Sequence, residues 1–136
     1  MKILTLIVRI LLGLMFVVFG LNGFLHFMKT PPPPSGHAGE FVGALFATGY
    51  LHVVMALQLI GGALVLSGRF LPLGLLLLGP VIVNILLFHV FMDRNGLPMA
   101  LVVSALSLFL LGRHWSAFAS VFRPFTPTGP RSPASS

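Results

Sequence analysis

Four stretches of this chain stay apolar for long enough to cross a hydrocarbon layer, and no other feature limits the fold as tightly. They cover about residues 3–28, 41–66, 70–92 and 97–122. A helical span needs ~20 mostly apolar residues. Lipid offers no water to exposed backbone N–H and C=O groups, so a spanning segment must satisfy them within itself, as a helix does. The expected fold is all-α: an integral membrane four-helix bundle over residues 1–122. A Pro- and Ser-rich tail, 123–136, has too few apolar residues to fold and is expected to be disordered.

Composition agrees. Only 7% of the residues are charged and 57% are hydrophobic, whereas a soluble domain carries about 25% charged residues. The net charge is +6, but the cations stand singly between apolar runs. That pattern excludes the basic stripe of a nucleic-acid binder. The chain has no cysteine, which excludes disulfides, thiolate metal sites and CxxC redox chemistry. No metal site is expected. The first run lacks a small-residue cleavage site and is too long for a signal-peptide core, so it reads as a retained span.

The connections are short. "KTPPPPSGHAGE" cannot be a helix interior, since proline has no N–H, and reads as a polyproline-type loop. "SGR" (67–69) and "DRNG" (93–96) read as turns, with Gly68 suited to a left-handed helix end. With four spans the termini share a side. That side carries Lys2, Arg9, Arg69, Arg113, Arg123 and Arg131, against Lys29 and Arg94 on the other. The positive-inside rule then puts both termini in the cytoplasm. Arg, Asn and His recur in the first and third runs (Arg9, Asn22, "LHF"; Arg69, Asn84, "FHVF"), which suggests two repeated helical hairpins.

The apolar run "VIVNILLFHVFMD" (81–93) contains Asn84, His89 and Asp93. Counting 1.5 Å per residue from the outer helix ends, His26 and His89 lie within ~3–8 Å of the boundary. Asn22, Thr48, Asn84 and Ser104 follow at roughly 10–15 Å, His52 and Ser107 at about 15 Å, and Gln58 lies deeper. Polar groups inside a bilayer are costly and usually face the bundle interior. The depth pattern predicts a pocket in the outer half, lined by Asn22, His26, His52, Asn84 and His89, with Glu40 and Asp93 at its mouth. Asn22 and His26 share a helix face, as do His89 and Asp93. Asn84 lies about 140° round the helix from His89. Pro80 is expected to bend the third span, and Asn84 to bond to a neighbouring helix. The bland alternative is that Asn22 and Asn84 are interhelical glue, that Thr48, Ser104 and Ser107 bond their own helices, and that His26 and His89 reach the headgroups.

The segments "RILLGLMFVVFGLNGFLHF" and "LQLIGGALVLSGRFLPLGLLLLGPVIVNILLFHVFMD" resemble the DoxX family of small bacterial membrane proteins. The likeness covers roughly residues 1–120. It rests on span count and order, on the "RxLLGxxFxxxGxxxxxxF" pattern of the first helix, and on "VNILLFH" in the third. The resemblance implies four helices in a bacterial cytoplasmic (inner) membrane. Some members of the family look like small subunits of quinone-linked membrane oxidoreductases, as in thiosulfate oxidation. The expected function is therefore a small subunit of a quinone-linked redox system, holding a quinone or similar amphiphile in the outer half of the bundle. A quinone needs an apolar slot with a few hydrogen-bond partners, and histidine could pass quinol protons toward the acids. The alternative is a non-catalytic scaffold or accessory subunit with a purely structural polar layer. Haem held by His26 and His89 is a weaker reading. Expected partners are the lipid bilayer, other membrane or peripheral redox subunits, or a second copy of the chain.

Overall fold

The structure is a computed structural model and describes residues 1–26 and 34–124. Residues 29–33 of the expected polyproline-type loop and most of the tail expected to be disordered lie outside the described residues; the rest of that loop is corrected, because residues 36–40 form the start of a helix. Within them there are helices and turns and no strand: α1 (Lys2–Leu25), α2 (Gly36–Ala47), α3 (Tyr50–Ser67), α4 (Leu71–Phe91), α5 (Leu97–Arg113) and the short α6 (Trp115–Phe118). Single 3-10 turns, Arg94–Gly96 and Ala119–Phe122, precede α5 and follow α6. Four helical segments, Lys2–Leu25, Tyr50–Ser67, Leu71–Phe91 and Arg94–Arg113, are long and apolar enough to cross a membrane.

These four close a ring. α1 packs on α3 and α5, and α4 packs on α3 and α5. The centre is filled by Leu12, Val65, Leu78 and Leu110, all fully buried, with Phe16, Val81, Val103 and Phe118 around them. Outside stand Leu4, Ile7, Leu11, Leu73, Val83, Leu101 and Leu108, all exposed. In water such a surface would drive association; in lipid it is the expected solvent face.

Glycines set the helix spacing. A Cβ built on Gly62 would stand 2.9 Å from the Val17 backbone N and 3.1 Å from the Gly13 carbonyl O. On the other side of α3, a Cβ on Gly74 would meet the Gly61 carbonyl O at 2.9 Å. Small residues are the usual means of close helix approach in membranes, where burial from water supplies no drive between helices.

Two expected spans are corrected. The run 41–66 is not one helix. It breaks at Thr48 and Gly49, where Gly49 takes φ 78° and Thr48 Oγ1 donates to the Ala44 carbonyl at 2.8 Å. A positive φ is cheap only for glycine, so the chain turns there. The twelve-residue α2 packs against α3, and its Phe41 ring lies 5.8 Å from that of Phe88 near the end of α4. The fourth span ends at Arg113 rather than near 122. His114 leaves helical geometry, and the chain folds back so that Phe118 is buried and Trp115 stacks on Phe122 at 5.3 Å.

Candidate functional site

α1 ends at His26, which takes the left-handed conformation (φ 51°) while its N–H donates to the Asn22 carbonyl at 2.9 Å. That ending places the His26 side chain beside Asn22, one turn earlier. Across from them, the first turn of α3 carries His52. The break at Gly49 brings the last residues of α2 back over this turn, so the His52 ring sits between Phe24 (5.9 Å) and Phe46 (6.0 Å). Asn22, His26, Phe46, His52 and Met55 line a cavity of about 200 Å³. Gly23 sets its floor, since a Cβ there would meet Met55 Cγ at 2.6 Å. One amide and two imidazoles against aromatic and thioether walls suit a small planar group with hydrogen-bonding atoms.

The structure does not bring the other expected residues to this cavity. Asn84 is exposed, and its Nδ2 donates to the Pro80 carbonyl of its own helix at 2.9 Å. It makes no described bond to a neighbouring helix, contrary to expectation. α4 runs on through Pro80 as one helix, so the donor beside the proline is local. His89 holds a turn: its Nδ1–H donates to the Asp93 carbonyl at 2.9 Å, and its ring lies against Gly96, whose lack of a side chain makes the room. Asp93 also belongs to that turn, with Oδ1 accepting from the Asn95 N–H at 3.2 Å. Glu40 pairs with His37 in the open, 3.1 Å apart and exposed on both sides. Neither acid lines the cavity. His26 and His89 therefore do not face one another as haem ligands would. No group of three metal-ligating side chains occurs among the described residues. The two histidines of the Arg–Asn–His pattern differ in role, since His26 lines a cavity and His89 closes a turn.

Thr48, Ser104 and Ser107 donate to carbonyls of their own helices at 2.7–2.8 Å, as helix-interior hydroxyls tend to. Two features were not legible in the sequence. Gln58, placed only as deep, is the sole buried polar residue among those described. A larger cavity, about 510 Å³, lies elsewhere, between α4 and α5 over Gly79 and Pro80, and is walled by Phe118 and Phe122. It is almost wholly apolar, and the hydroxyls of Ser104 and Ser107 on its edge are already used.

The family model described as DoxX matches residues 4–90, from the start of α1 to the end of α4. No curated protein and no solved structure matches the chain.

Proposed function

The chain belongs to the DoxX family, and from that premise we propose that it is a small subunit of a quinone-linked redox system in the inner membrane, with both termini cytoplasmic. The observation that carries this reading is the cavity shared by Asn22, His26 and His52. Drug-sized ligands occupy about 300–1,000 Å³. A cavity of about 200 Å³ suits one ring, with an isoprenoid-like tail left outside among lipid chains. His26, Phe24 and Phe46 are exposed, so the tail has a way out. The imidazoles would hydrogen-bond the ring carbonyls and exchange protons with the quinol.

A scaffold role is the second reading. It is favoured by Asn84, Thr48, Ser104 and Ser107, whose side chains each donate to a carbonyl of their own helix. Quinone-analogue affinity separates the two. Under the ligand reading, the wild type binds a short-tailed analogue, His52→Leu and Asn22→Leu weaken binding about tenfold or more, as for the loss of one buried hydrogen bond, and Asn84→Leu binds as the wild type does. Helicity serves as the folding control. If the wild type binds no analogue, the scaffold reading takes its place.

Orientation has its own test. The cysteine-free sequence allows single cysteines at Ser35, before α2, and Ser67, at the end of α3, both exposed. In intact cells an impermeant thiol reagent should label Ser35→Cys and spare Ser67→Cys. The reverse pattern would invert the topology.

A further inference from the structure

At the end of the bundle opposite His52, the chain gathers positive charge around an opening. Lys2 and Arg9 on α1, Arg113 in the last turn of α5, and His114 just after it line a cavity of about 430 Å³ beside Gly68. Arg9 lies seven residues into α1, about 10 Å along the helix, where an arginine needs a partner or a route to water. It has no anionic partner among the described residues. The only two acids in the sequence are Glu40 and Asp93; the first pairs with His37 and the second builds the turn before α5. Arg9 Nε is buried without a hydrogen-bond partner. Its guanidinium lies against Gly68, where an added Cβ would stand 2.8 Å from Cζ. Gly68 also takes φ 75°, so the turn both requires a glycine and exposes its backbone to the arginine. His114 donates Nδ1–H to the Leu110 carbonyl at 3.0 Å, which leaves Nε2 as its unused ring atom.

Three cations, two on α1 and one on α5, with no counter-charge among the described residues, repel one another until an anion arrives. Arginine guanidinium groups match phosphate oxygens in geometry as well as charge. Basic pockets between membrane helices are suited to anionic headgroups.

We propose that this cavity binds a phosphate group, supplied by the headgroup of an anionic phospholipid, with Arg9 and Arg113 as its principal ligands. The lipid source follows from the walls: beside Thr5, Leu6 and Leu71 line the cavity and offer an apolar path for the glycerol and the first acyl carbons. The site is independent of the quinone reading, since it lies at the other end of the bundle and shares no residue with that cavity.

The test is native mass spectrometry of the full chain in detergent, offered phosphatidylglycerol, phosphatidylcholine or inorganic phosphate. The wild type should retain phosphatidylglycerol in preference to phosphatidylcholine. Arg9→Gln and Arg113→Gln should each lower retention about fivefold, the share one cation contributes at an anionic surface. Arg94→Gln, at the far end, should retain lipid as the wild type does. Arg113 is exposed at a helix end, so its variant keeps the fold even if Arg9→Gln does not; helicity checks both. If inorganic phosphate displaces phosphatidylglycerol at millimolar concentration, the phosphate site stands and its source is soluble. Equal retention of both lipids by the wild type, or retention unchanged in Arg113→Gln, overturns the proposal.

Discussion

Gly62→Leu should unfold the bundle more readily than any truncation in its core. The side chain would enter a space bounded by α1 backbone, with Val17 N at 2.9 Å and the Gly13 carbonyl at 3.1 Å from the first added carbon. Backbone cannot rotate away as a side chain can. α1 must move off α3, and Leu12, Phe16 and Val65 then lose their packing together. Overpacking a core typically costs about 1–3 kcal/mol and occasionally more; a rigid helix on the far side places this variant at about 3 kcal/mol or above. A useful comparison is Leu78→Ala, at a fully buried leucine. In a soluble protein that change costs about 2–5 kcal/mol, part of it the transfer of apolar atoms out of water. Lipid removes most of the transfer part, because the unfolded helix is also in an apolar medium. The cavity part remains, at about 1–2 kcal/mol. Thermal unfolding in one detergent should rank the variants in that order. If Gly62→Leu melts within error of the wild type, α1 and α3 do not pack through this glycine.

The second large effect is structural. Thr48→Ala combined with Gly49→Ala should join α2 and α3 into one helix. Alanine at a left-handed position costs about 1–2 kcal/mol, and glycine in a helix interior costs about 1 kcal/mol relative to alanine. Both changes favour continuity. A helix over 36–67 would be about 48 Å long, well beyond the ~30 Å hydrocarbon core, so α2 would project from the bundle. Phe41 would leave Phe88, and Phe46 would leave His52. Spin labels at Gly43→Cys on α2 and Phe91→Cys at the end of α4, both exposed, should move apart by on the order of 10 Å. An unchanged distance would mean that contacts of α2 with α3 and α4, and not the backbone break, hold it in place. The variant should also lose analogue binding, since Phe46 walls that cavity.

That break shows what hydropathy can and cannot read. Four long apolar runs demand helices whatever their contacts, so α1 and α4 lie close to where the runs place them. The split at Gly49 is invisible to an average over apolar residues, because a single φ makes it, within a run that is apolar throughout. Position along each helix was legible too, since it needs only a residue count. Azimuth was not. Asn22, His26 and His52 meet because α1 and α3 touch along Gly13, Gly20 and Gly62, and a stripe of small residues on one helix does not name its partner. Asn84 and His89 share the depth of the others, but each has a carbonyl four residues away to bond, and a local acceptor wins over a distant one. The basic cavity was legible only as a surplus of Lys and Arg on one side. Its convergence depends on the turn at Gly68 and on α5 stopping at Arg113.

The glycine contacts also make the bundle mechanically uneven. α3 is held close to α1 and to α4 where glycines leave no side chain between the helices, and such close approaches have little room for a rotamer change to absorb movement. The flank between α4 and α5 is different: it carries a void of about 510 Å³, beside Gly79 and Pro80, closed by the short α6 and the turn after it. Thermal breathing must concentrate where fewest atoms resist it. The α1–α3–α4 side then acts as a fixed frame and α5 as the compliant stave, so a lipid chain or a neighbouring helix pressing on that flank would meet the softest part of the molecule first.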